Sequence, residues 1–385
     1  MCAKIKTHPK LAKYNDLVRL LRNAEFQQEL ETALSNHFAV LVMGTMKSGK
    51  STLINAMLGH DLLPTDTIAS TSTIFKIEDC DTLAGFSCRL VTDSGIGEWQ
   101  DASRAVLEQW NDSCCSVQVE IRGNLPYIRN EGARLVLYDT PGPNNAIRRS
   151  HGEVTRSILA KSEYALILYV LATTHMESDD EAILLNSLQN SLCGHPRSKQ
   201  KKVVFVMNRV DEFDEDKPEQ SVASAIKKQK QYLTEMGYIA PIIVPTIARD
   251  ALLLRSFRSR STLSEEEQME LEYRLNKLEA RRTNIVTSAE YTQYVKSVIY
   301  KGLKGIGQEP YRATQPAGLL ASARHYINEA RYMKCIFKTG IPALEAILEE
   351  MLVTEALPKT MMKVASVFRR HGAGKLHKWC ISDLT

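Results

Sequence analysis

Residues 38–51 read Phe38-Ala-Val-Leu-Val-Met43 and then Gly44-Thr45-Met46-Lys47-Ser48-Gly49-Lys50-Ser51. The first six form a short apolar run that stops at a glycine, the pattern of a strand buried on both faces. The next eight match G-x-x-x-x-G-K-[ST], and a helix is expected over 51–58, ending at Gly59. Strand, glycine turn and helix in this order make a phosphate cradle. Loop N–H groups close on phosphate oxygens, the helix N-terminus adds positive potential, Lys50 reaches the β- and γ-phosphates, and Ser51 ligates magnesium. Gly44 through Thr52 are therefore the phosphate-side candidates.

Working outward, similar apolar runs occur at 134–138, 164–171, 203–207 and 242–244, separated by segments of crossover length. Parallel strands need such crossovers, so the fold class is α/β, a doubly wound, mostly parallel P-loop NTPase sheet. Alternating pieces at 87–91 and 117–121 add strands between the motifs. Asp139-Thr-Pro-Gly142 ends the run at 134–138 and so places a carboxylate at a strand's C-terminal end, where such sheets bind ligands. Asp139 is expected to hold magnesium through water, and the Gly142 N–H to sense the γ-phosphate. Asn208-Arg209-Val-Asp211 ends the run at 203–207. Its carboxylate suits the guanine N1–H and exocyclic amine, which adenine does not offer, while Asn208 braces the loop and the stem of Arg209 covers the base. GTP or GDP with Mg2+ is the expected ligand.

The 385 residues carry a net charge of +4, too little on this length to mark a nucleic-acid surface, and no direct nucleic-acid binding is expected. Eight cysteines show no C-x-x-C spacing, which fits reduced thiols in a cytoplasmic protein rather than a zinc site or disulfide framework. His151, His175 and His195 fit no helical ligand pair. The charged N-terminus does not read as a secretory signal, and no run approaches the roughly 20 apolar residues of a membrane span. From about Arg255 strand runs give way to charged helices. Ser264-Glu-Glu-Glu267 has the form of a capping box, with Leu271, Leu275 and Leu278 on one face of the helix that follows. Residues 305–318 read as a loop before a helix near Leu319, and a last helix is expected to start at Pro358.

The run GTMKSGKSTLINAMLGHDLLPTD, with YDTPGPNNA and NRVD, resembles bacterial dynamin-like GTPases, and most of all the subfamily associated with replication forks and the DNA sliding clamp. The resemblance implies a threonine that closes over magnesium and the γ-phosphate, Thr71 first and Thr73 second. It also implies a base-covering loop near Pro245-Thr246-Ile247-Ala248. It divides the chain into an N-terminal neck helix (1–36), a GTPase core (37–254), a helical insertion (255–338) and the end of the GTPase domain with a C-terminal neck helix (339–385). One helix spanning Leu11 to Leu34 is expected to pack on the helix from Pro358 to Arg370, and the family's long stalk is expected to be missing.

The sequence also departs from related patterns. Pro143 stands where small GTPases carry a water-orienting glutamine. Met46 and Lys47 stand where eukaryotic dynamins have Gln and Ser. Lys47, Lys50 and Thr71 are the expected catalytic groups, Lys47 acting in a homodimer formed across the GTPase faces. The leading expectation is GTP hydrolysis, and the alternative is a nucleotide switch or scaffold of negligible turnover. The basic, amphipathic C-terminal segment suits either a peripheral membrane contact at the inner membrane or packing of its own apolar face. Association with the replication clamp is implied by the subfamily alone.

Overall fold

The computed structural model describes residues 19–35, 37–65, 73–111, 118–129, 133–140, 164–173, 178–193, 202–214, 217–259, 264–281, 284–304 and 329–371. Thr71, Gly142, Pro143, the three histidines and the expected helix near Leu319 lie outside these residues.

Among the described residues, ten strands form one mixed sheet in the order β10-β9-β8-β1-β7-β2-β6-β3-β4, with β5 (Gln100–Asp101) paired to β3. One half of it is β10 (Ile242–Thr246), β9 (Lys202–Asn208), β8 (Tyr164–Ala172) and β1 (His37–Met43), all paired in parallel. Their residues are almost wholly buried, which is why the sequence shows continuous apolar runs there instead of alternation. Beyond β7 (Arg134–Asp139) come β2 (Ile74–Asp79), antiparallel to β7, then β6 (Gln118–Gly123), β3 (Ser87–Thr92) and β4 (Gly95–Ile96). β2 and β6 alternate buried with half-buried residues, as expected for sheet with one wetter face. The sequence reading missed β2, because Lys76, Glu78 and Asp79 interrupt its apolar set. Two of these charges are satisfied across the sheet by Lys76–Glu120 and Arg122–Glu78 pairs.

The helix after the phosphate loop, α2 (Lys50–Leu58), ends at Gly59 with φ 72°, where a glycine cap is favoured. It packs on α6 (Ala248–Ser259). The helices between and after these are α3 (Arg104–Asn111), α4 (Asp179–Cys193), α5 (Val222–Glu235), α7 (Glu265–Ala280), α8 (Gln293–Leu303), α9 (Glu329–Lys338) and α10 (Ile341–Met351). The capping box on α7 is realised in full. Glu267 N donates to Ser264 Oγ at 3.2 Å and Ser264 N to Glu267 Oε2 at 2.9 Å. Leu271, Leu275 and Leu278 are buried on one face.

By compactness the chain divides into two units, one of residues 39–129 and 136–350, the other of 1–38, 130–135 and 351–385. Residues 255–338 thus fall in the same unit as the sheet. In the smaller unit α1 (Ala24–Leu34) packs on α11 (Leu357–Arg370) through Phe26, Leu30, Val367 and Phe368. Phe26 meets Phe368 edge-on at 5.1 Å between centroids, and Glu29 pairs with Arg370 at 2.9 Å. The apolar face of α11 is therefore covered. Pro358 lies in its first turn, as expected. The expected single helix through Leu34 is corrected: helix at 19–21 stops at Arg22, and Asn23 in an extended conformation begins α1 anew. Its side-chain oxygen accepts from Phe26 N at 3.0 Å, a local bond that competes with helix continuation.

Candidate nucleotide site

The C-terminal ends of β1, β7 and β9 bring the three motifs together. Gly44 follows β1 with φ 154° and lies so close to the Val170 carbonyl that a Cβ would clash with it. Gly49 has φ 93° and abuts the Asn208 amide just as tightly. Both glycines are thus required by backbone conformation and by close approach. Lys47 at the loop apex takes φ 62° without being a glycine, a strained conformation of the kind held where function demands it. Its side chain is exposed.

The loop's polar groups point inward without partners. Thr45 Oγ1, Ser48 Oγ and Asp139 Oδ1 are buried and unbonded, and so is Thr73 Oγ1 just before β2. Buried polar atoms normally find partners, so a cluster of orphans around a phosphate loop marks a place for ligand oxygens and a cation. Lys50 Nζ folds back onto the carbonyls of Gly44 (3.3 Å) and Thr45 (3.0 Å). Burial pushes its pKa down, and the nearby Asp139 charge opposes this. Burial pushes the Asp139 carboxyl up, against the Lys50 charge and hydrogen bonds from Ser51 and the Thr140 N–H. Ser51 Oγ donates to Asp139 Oδ2 at 2.7 Å. One hydroxyl and one buried carboxylate, with an oxygen to spare, fit a hard cation such as Mg2+ that keeps waters and phosphate oxygens as its other ligands. No cluster of three or more His, Cys, Asp or Glu occurs among the described residues, so a cage built wholly of such side chains is not offered there. Met46 and Thr52 flank this cradle half-buried.

On the other side, Asn208 ties the motifs together. Its Nδ2 donates to the Ser48 carbonyl at 3.1 Å, and its Oδ1 accepts from Thr246 Oγ1 (3.3 Å) and Ala248 N (3.2 Å). The 245–248 segment therefore lies beside Asn208 at the end of β10. Arg209, with φ 63°, sends its guanidinium to the Lys47 carbonyl at 3.0 Å, so its head bonds the phosphate loop. Asp211 pairs with Lys277 at 3.3 Å, a residue of α7 that the sequence reading did not single out. The only sequence-level sign was a basic residue in the last turn of a capped helix.

Sheet, loop and motif order define an α/β protein of the P-loop NTPase fold. Residues 40–210 match the profile of the dynamin family, Dynamin_N. A protein of the xynA 3′ region of Caldicellulosiruptor sp. (strain Rt8B.4) is 28% identical over 222 residues, covering 56% of this chain and 50% of the relative. A probable transmembrane GTPase, FZO-like, of Arabidopsis thaliana chloroplasts is 23% identical over 215 residues, covering 56% of this chain and 19% of that protein. The chain thus spans at most half the length of these relatives. Among solved structures, a chain of an oligomerised bacterial dynamin pair, described as sensing and tethering membranes at long range, aligns over 79% of this chain and 45% of its own, with a TM-score of 0.45 and 17% identity.

Proposed function

We propose that the chain binds GTP and GDP with magnesium and hydrolyses GTP to GDP and phosphate, faster when two copies meet across their nucleotide faces. The observation supporting this is that one hydrogen-bonded set joins all three motifs: Ser51 to Asp139, Asn208 to the Ser48 carbonyl, and Arg209 to the Lys47 carbonyl. In this reading the phosphates draw Lys50 off its two carbonyls and satisfy the orphaned loop hydroxyls. Ser51 and Asp139 would hold the magnesium, joined in the resemblance by Thr71, and the ion would supply positive charge beside the γ-phosphate. Asp211 accepts from the guanine N1–H and amine. Exposed Lys47 supplies positive charge to the transition state of the facing copy, as arginine fingers do elsewhere at about 10³- to 10⁵-fold. The Arabidopsis relative is a probable GTPase, which agrees with this chemistry.

A switch or scaffold of negligible turnover is the second reading. It is supported by Met46 and Pro143, which stand where related enzymes carry polar groups that act on the attacking water. Phosphate release per protein, followed across a hundredfold range of protein concentration, separates the two. Specific activity rising with concentration supports the dimer-activated enzyme, and flat, negligible release supports the switch. Loss of release in Lys47→Ala is expected, and wild-type rates in that variant contradict the role given to Lys47. Partners beyond a second copy are proposed from the resemblance: the replication clamp through protein contacts, tested by pull-down, and a peripheral membrane surface, tested by vesicle sedimentation.

A further inference from the structure

The base-side turn is held by helices that the nucleotide motifs do not include. Helix α7 presents Arg274 and Lys277, three residues apart on one face, and Arg281 follows as the residue at its C-terminal cap. Arg274 donates to Asp250 Oδ1 at 2.7 Å, Lys277 Nζ to Asp211 Oδ2 at 3.3 Å, and Arg281 to the Val210 carbonyl at 3.3 Å. Elsewhere on α7, Glu272, Asn276 and Glu279 all bond Arg331 of α9, and Lys338 of α9 donates to the Leu278 carbonyl at 2.8 Å. At the end of α9 the Thr339 carbonyl accepts from Ile247 N at 2.8 Å. The α7–α9 pair therefore braces both loops that flank the base.

We infer that Lys277 is a positioning residue for guanine specificity, holding the Asp211 carboxylate oriented for the base; this rests on the GTP reading above. Guanine presents two parallel donors, and a carboxylate has about four lone-pair sites. Lys277 engages one oxygen and leaves sites on both for N1–H and the amine. Both side chains are partly exposed, at 33% and 23%, so the ion pair adds little to stability, and its consequence is the direction in which Asp211 points.

The test compares wild type with Lys277→Met and Lys277→Arg, titrated with GTP, ITP and ATP in magnesium. ITP keeps N1–H but lacks the amine. Lys277→Met is expected to bind GTP about tenfold more weakly, with a smaller loss for ITP, so that the GTP/ITP preference shrinks, and Lys277→Arg to restore it. In an Asp211→Asn background, where the partner carries no charge, Lys277→Met is expected to leave binding of xanthosine triphosphate within about twofold. Equal losses for GTP and ITP mean that Lys277 only braces the fold, and an unchanged GTP affinity means that it does nothing for the base. Either result overturns the inference while the function reading stands. A wild-type chain without guanine preference sinks that reading, and the inference with it.

Discussion

The phosphate end and the base end of this site are built by different means. At the phosphate end the working groups come from one nine-residue stretch and one strand end, and their geometry is set by backbone: two glycines pressed against neighbours, a helix N-terminus, and a strained apex. At the base end the carboxylate proposed to read the base, Asp211, sits in a short turn held by Lys277, 66 residues further along the chain, and by the α7–α9 pair. A cradle made of backbone N–H groups can be written as a local motif. A recognition pocket made of side chains requires folded neighbours, and its specificity depends on them.

The contrast is weakest where the phosphate end also relies on distant residues. Arg255, fully buried, donates to the Ala56 carbonyl near the end of α2 at 2.7 Å and grips Glu345 with two bonds of 2.6 and 2.8 Å over the ring of Tyr127. Removing one member of a buried pair strands the other, so Arg255→Met is expected to cost about 3–5 kcal/mol in urea unfolding. A cost under about 1 kcal/mol would mean that α2 is held by its own packing and the phosphate end is local throughout.

Next in size, Lys50→Met is expected to weaken GTP binding about a hundredfold. The same change is expected to raise the Tm of the free protein, because burial disfavours the Lys50 charge. A lower Tm would show that the lysine's bonds to the Gly44 and Thr45 carbonyls outweigh its desolvation. At the base end, Gly340→Ala places a methyl against the Pro245 carbonyl at φ 78°. Such strain costs about 1–3 kcal/mol and is expected to loosen the Thr246–Ile247 segment, read as weaker GTP binding with a lowered Tm. Unchanged binding would uncouple that segment from the base.

The smallest effect concerns pH. Because the Asp139 pKa is raised in the fold, its contribution to stability is present below the ordinary carboxylate range and is lost as pH rises through the raised value. Asp139→Asn is expected to remove that slope and to stabilise the free protein at neutral pH by about 1 kcal/mol, while abolishing magnesium-dependent affinity. Parallel pH–Tm curves for variant and wild type would count against a buried, ionised Asp139.

What could be read in advance follows the same division. The strands at β1, β7, β8, β9 and β10 and the cap of α7 were legible, because each is signalled within a few residues by apolar runs or by the Ser264–Glu267 spacing. The strand β2 was hidden by charges that find partners across the sheet, Lys76 on Glu120 and Glu78 on Arg122, and the break at Asn23 by a single side-chain bond to Phe26 N. Strand order depends on which crossovers fold back, and no local pattern carries it. In the candidate site, the meeting of Ser51 with Asp139 and of Asn208 with the Ser48 carbonyl was legible from motif order. Lys277, Arg281 and the Thr339 carbonyl were not, since nothing in their neighbourhood of sequence refers to the turn they hold.

The most direct measurement is a calorimetric titration of the wild-type chain with GTP, GDP and ATP in magnesium. GTP and GDP are expected to bind, and ATP at least about a hundredfold more weakly, since the base-side carboxylate would face no amine. Equal affinity for ATP and GTP would contradict the guanine reading at its centre.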